Sequence, residues 1–124
     1  MDKVVHFEIP YDDVNTVKEF YSKVFGWKLN PVPEMMYTLV NTVDVDSNNM
    51  PKEVGAINGG LMKRDQIKSP VITIGVGDIE KAAEKIRKEG GTIIMDPVKV
   101  GDMGMSAYFM DTEGNVIGLW QNLH

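Results

Sequence analysis

The sequence predicts an α+β fold built from two tandem βαβββ modules. Two observations carry that prediction. Segments of alternating apolar residues and segments of helical periodicity follow one another as β, α, β, β, β, and the order is then repeated. The two copies also run in phase: Asp78 follows Asp13 by 65 positions, as Ile79 follows Val14, Ala82 follows Val17, Ile86 follows Tyr21 and Gly91 follows Gly26. Five coincidences at one offset indicate internal duplication. A single domain over residues 1–124 is expected, with module one at 1–63, module two at 71–124, and a linker at 64–70 too short and too charged to wander.

Val4 to Ile9 sends Val5, Phe7 and Ile9 to one side and Val4, His6 and Glu8 to the other, the period of a strand. Asp12 or Asp13 then caps a helix along which Val14, Val17, Tyr21 and Val24 recur, with Phe20 and Phe25 widening the stripe and Gly26 stopping it. Trp27 to Leu29, Met36 to Val43 and Val54 to Lys63 complete module one as strands. In module two, Ile72, Ile74 and Val76 alternate, and Asp78 caps a helix carrying Ile79, Ala82, Ala83 and Ile86 that ends at Gly90-Gly91. Thr92 to Met95, Met105 to Met110 and Val116 to Gln121 supply the remaining strands.

Composition narrows the function classes. At 124 residues, 43% hydrophobic and 25% charged, the chain has the make-up of an ordinary globular domain. With no cysteine it has neither disulfides nor thiolate metal sites, so any metal must be held by His, Asp or Glu. A net charge of −5 with scattered basic residues argues against a nucleic-acid partner. No run of eighteen apolar residues appears and Met1-Asp2-Lys3 leads into a strand, so no membrane partner and a cytoplasmic location are expected.

The two faces of the strands locate the candidate site. Helices must cover the side bearing Val5, Phe7, Ile9, Ile72 and Ile74, which leaves His6 and Glu8, and their counterparts Val71 and Thr73, on the opposite, concave side. Asn58, Gly60 and Met62 line the same side in module one, and Val116, Gly118 and Trp120 in module two. His6 and Glu8 are the candidate catalytic pair, because a hydrogen bond between them would raise the histidine pKa and position a general base. The bland alternative is that Glu8 bonds backbone or water at the rim. Trp120, Met62, Tyr108 and Tyr37 offer an apolar floor for a flat ligand, or serve as ordinary core or dimer interface.

Val5-His6-Phe7-Glu8-Ile9-Pro10, Asp12-Asp13, Phe20-Tyr21, Phe25-Gly26-Trp27 and Asp111-Thr112-Glu113-Gly114-Asn115-Val116 with Gly118, in that order, resemble the vicinal oxygen chelate superfamily of glyoxalase I, bleomycin-resistance proteins and extradiol dioxygenases. The resemblance implies a cup-shaped, partly open mixed β-sheet barrel with helices on its convex face, a small-molecule ligand and a homodimer. It also implies one divalent metal, held by side chains from the first and last strand of each module. His6 matches the first ligand position; the others fall at Val71, at Gly60 or a neighbour such as Asn58, and at Gly118, none of them a carboxylate or imidazole, so the metal is not favoured. Three readings stay open: an enzyme of lyase, isomerase or dioxygenase type centred on His6 and Glu8; a metal-free binding protein with Asn58, Met62, Tyr108 and Trp120 on its ligand; and an assembly protein whose cup is filled by its own side chains.

Other motifs read as structure. Asp44-Val45-Asp46-Ser47-Asn48 lacks the glycine and the final glutamate of a calcium loop. Gly75-Val76-Gly77-Asp78 lacks the third glycine of a dinucleotide fingerprint. Asp111 to Asn115 reads as a tight turn with Gly114 at positive φ, and His124 as a frayed end.

Overall fold

A computed structural model describes residues 1–123, and the reading of His124 lies outside the described residues. The elements run β1 (Val4–Tyr11), α1 (Val14–Phe25), β2 (Lys28–Val32), a 3₁₀ turn (Pro33–Met35), β3 (Tyr37–Asn41) and β4 (Gly59–Lys63). They continue as β5 (Val71–Gly75), α2 (Ile79–Lys88), β6 (Thr92–Val100), β7 (Gly104–Met110) and β8 (Val116–Asn122), which is βαβββ twice. The strands hydrogen-bond in the orders β2-β3-β4-β1 and β5-β8-β7-β6, each run mixed in direction. Backbone proximity divides the chain into two compact units, His6–Pro70 and Met1–Val5 with Val71 onward, so the division falls inside β1.

In the His6–Pro70 unit, β1 pairs parallel to β4 from Phe7 opposite Gly59 to Tyr11 opposite Lys63, and β4, β3 and β2 follow antiparallel. The Asp13 carboxylate accepts from the backbone N–H groups of Asn15 and Thr16 to start α1, and Gly26 at φ 71° ends it in the left-handed region that glycine enters at no steric cost. Leu61 and Val40 are wholly buried. Trp27 joins helix to sheet, stacked on Tyr21 at 4.8 Å and tilted against Phe7 at 5.7 Å. Two expectations fail here. Val24 of the expected stripe, and Phe20 and Phe25 expected to widen it, are more than half exposed, because Tyr21 and Trp27 take the inward contacts and Phe20 and Phe25 pack edge-on along the outside. The strand expected from Val54 begins only at Gly59, since Gly55 turns the chain at φ 88° and leaves Val54 fully exposed.

In the other unit β5 pairs parallel to β8, with Thr73 opposite Gly118, while β8, β7 and β6 are antiparallel and β6 is bulged on either side of Met95. Ile79, Ala107, Phe109 and Leu119 form its core, joined by Ile74, Val76 and Ile86. Asp78 caps α2 through Lys81 N–H, and the Gln121 side-chain oxygen accepts from Ile79 N–H at 2.8 Å. Ile72, expected under the helix, is 48% exposed, while its neighbours Val71 and Thr73 are buried. Asp111 accepts from Glu113 and Asn115 N–H, closing the expected turn, with Gly114 at φ 83°.

Candidate functional site

The alternation of β1 places His6 and Glu8 on one face of the His6–Pro70 unit, as read from the sequence. What stands between them was not anticipated. The Tyr37 hydroxyl donates to Glu8 Oε2 at 2.7 Å and lies 2.8 Å from His6 Nε2, so the two residues are joined through a phenol rather than bonded to each other. Glu8 is buried, at 6% exposure, and His6 and Tyr37 are half-buried.

The sequence builds this chain by local means. Pro33–Met35 make one 3₁₀ turn, and Met36 at φ 50° swings the backbone so that Tyr37 opens β3. Tyr37 pairs with Met62, two residues along β4 from Gly60, and Gly60 pairs in turn with Glu8 on β1. Paired residues share a face, so Tyr37, Met62, Gly60 and Glu8 lie together on it. The Tyr37 ring crosses β4 at Gly60: a Cβ built on Gly60 would collide with the hydroxyl and adjoining ring carbons. Gly60 is therefore the gap through which Tyr37 reaches Glu8 and His6.

The electrostatics also differ from expectation. Burial pushes the His6 imidazole below its ordinary value, and the opposing pull of the Glu8 carboxylate does not overcome it. The imidazole is consequently neutral near pH 7, where the anticipated direct bond to Glu8 would have favoured the charged form. Tyr37 carried no polar role in the sequence reading. The available signal was that glycine opposite Glu8 leaves a space which a long side chain two residues away on the neighbouring strand can fill.

The remaining candidates fall as follows. The Asn58 side-chain oxygen accepts from Thr42 N–H at 2.7 Å, from the Thr42 hydroxyl and from Val43 N–H, while its buried Nδ2 has no partner among the described residues. Met62 is half-buried beside Pro10 and Tyr37. In the other unit Tyr108 is half-buried opposite Gly118, and Trp120 covers Gly104 while its indole N–H donates to Asn122 at 2.6 Å. Val71 and Thr73 are both buried there, and the Thr73 hydroxyl lies 2.7 Å from where a Gly118 Cβ would sit.

The family profile described as Glyoxalase/Bleomycin resistance protein/Dioxygenase superfamily matches residues 3–119. The chain belongs to that superfamily. Among curated relatives, this superfamily member is 31% identical to the protein YurT of Bacillus subtilis, covering 96% of this chain and 98% of the relative. It is 30% identical to the Mycobacterium bovis protein CFP32, named as a glyoxylase, over 88% of this chain but 41% of that protein, so it spans about two fifths of that relative's length. Among solved structures it resembles the Streptomyces coelicolor methylmalonyl-CoA epimerase in complex with 2-nitronate-propionyl-CoA, with TM-score 0.69, 18% identity and 98% coverage of both chains, a likeness of fold.

The superfamily's metal positions can be tested unit by unit. His6 directs Nε2 at Tyr37; Gly60 has no side chain, and its side-chain space holds the Tyr37 hydroxyl. In the other unit Val71 is apolar, and the space beside Gly118 holds the Thr73 hydroxyl. Among the described residues no three His, Cys, Asp or Glu side chains cluster. These residues do not fit the superfamily's divalent metal, which needs about three protein ligands.

Proposed function

We propose that this glyoxalase-superfamily protein binds a small, partly apolar, oxygen-bearing molecule against the His6/Glu8 face and moves a proton on it, as an isomerase or lyase does. The Glu8–Tyr37–His6 hydrogen-bond chain carries this reading. A neutral imidazole has a lone pair with which to take a proton, and a carboxylate reached through one hydroxyl stabilises the imidazolium that results, offsetting part of the burial that disfavours it. When His6 takes a proton from a carbon beside a carbonyl, the C–H electron pair moves to the carbonyl oxygen as an enolate. Return of the proton to the other face or to a neighbouring atom completes the isomerisation. Met62 beside Tyr37 supplies an apolar edge. The epimerase among the structural relatives is named for a reaction of this kind, although at 18% identity it lends the fold alone.

The second reading is capture without chemistry, favoured by the hydroxyls that fill the spaces at Gly60 and Gly118. One experiment separates the two. Hydroxyacetone in D₂O is followed by proton NMR with wild type and with His6→Gln. Protein-accelerated loss of the α-C–H signal that is abolished in His6→Gln supports proton transfer. Saturable shifts without exchange support capture, and the absence of both ends the two readings together. The same titration in Trp120→Ala and, separately, in Tyr108→Ala tests each as a ligand contact.

A further inference from the structure

The geometry points to Tyr37 as a positioning residue that fixes His6 in its Nε2–H tautomer, so that Nδ1 offers a lone pair and the ligand must present a neutral hydrogen-bond donor to it. A phenol has one hydroxyl proton, and that of Tyr37 goes to Glu8 Oε2 at 2.7 Å. The 2.8 Å contact between Tyr37 and His6 Nε2 can then be a hydrogen bond only if Nε2 supplies the proton. In a neutral imidazole the other nitrogen is left as the acceptor. Nδ1 makes no hydrogen bond among the described residues, whereas Nε2, the Tyr37 hydroxyl and Glu8 Oε2 are engaged.

Three groups on three strands enforce the arrangement. Glu8 orients the phenol, Gly60 leaves room for it, and Tyr37 orients the ring of His6, which lies nearly parallel to its own at 17°. A carboxylate or phosphate has only lone pairs to offer Nδ1, and Glu8 adds a negative charge nearby, so an anionic head is disfavoured at this position. A hydroxyl, an enol or an acidic C–H is matched. This names the ligand class for the binding reading above and rests on it, but the tautomer itself does not.

Nitrogen-15 NMR of the histidine ring in the free protein at neutral pH reads the tautomer directly. Wild type should show a protonated Nε2 and a lone-pair Nδ1, while Tyr37→Phe and Gly60→Ala should lose that bias. An Nδ1–H tautomer in wild type, or an unchanged one in Tyr37→Phe, overturns the positioning role. Titration with phenol should then move the His6 Nδ1 resonance, and anisole or benzoate should not. Binding of phenol should weaken about three- to tenfold in Tyr37→Phe, the loss set by one hydrogen bond. Equal response to anisole, or preference for benzoate, overturns the ligand class. Silence from every probe overturns it along with the binding reading beneath it, and leaves the free-protein tautomer to decide the role of Tyr37.

Discussion

Tyr37 and Gly60 behave as one unit, because the side chain of one occupies the space that any side chain on the other would need. Gly60→Ala must therefore displace the phenol or shift β4, and overpacking of this kind costs about 1–3 kcal/mol. The diagnostic is the coupling. In a Tyr37→Ala background the obstructing ring is gone, so the same Gly60→Ala change should cost far less, and a double-mutant cycle of urea midpoints measures the difference. Additive costs would mean that the collision is relieved without involving Tyr37. This pair also marks the limit of the sequence reading at residue scale. Alternation alone put His6 and Glu8 on one face, since a strand has a period of two. The hydroxyl between them depends on a diagonal reach across β4 that begins at the Met36 turn, and single-strand periodicity contains no term for it.

At the scale of elements, what repeats was legible and what interrupts was not. Asp13 and Asp78 cap their helices where the offset places them, and each Asp→Ala change should cost about 1 kcal/mol in thermal or denaturant unfolding. A smaller loss at Asp78 is expected, since Gln121 also accepts from the first turn of α2. The stripe of α1 was misjudged because helical spacing identifies apolar residues without saying how many the sheet can cover, and Phe20 and Phe25 remain outside. The late start of β4 has a similar origin: Asn58, not a strand, anchors this stretch by receiving Thr42 and Val43 N–H on its side-chain oxygen. Asn58→Ala strips those donors of their acceptor and should cost about 1–3 kcal/mol. Asn58→Asp keeps an acceptor and removes the unpartnered Nδ2, so its loss should be the smaller of the two. Equal losses would show that shape, not hydrogen bonding, holds the 42–58 segment.

For the whole molecule, three groups with shifted titration bear on how stability responds to acid, in two separate windows. His6 is held below its ordinary 6.5 by burial, so the unfolded chain binds a proton there more readily than the folded one. Its contribution is complete above about pH 6.5 and declines as pH falls from there through the lower folded value. Asp44 and Asp111 also sit below their ordinary 3.8, the first through the hydrogen bond it accepts from Lys28 and that residue's charge, the second through bonds accepted from Asn115 and Glu113. Their contributions are complete above that value and are lost only at more acid pH, with Asp44 the more sensitive to salt because its cause is an exposed ion pair 2.7 Å long. Urea midpoints measured from about pH 7 down to 3 should therefore fall first in the histidine window and again in the carboxylate window. His6→Gln should flatten the first decline while leaving the second intact. A first decline that persists in His6→Gln would assign it to some other group and would remove the buried neutral imidazole on which the proposed proton transfer depends.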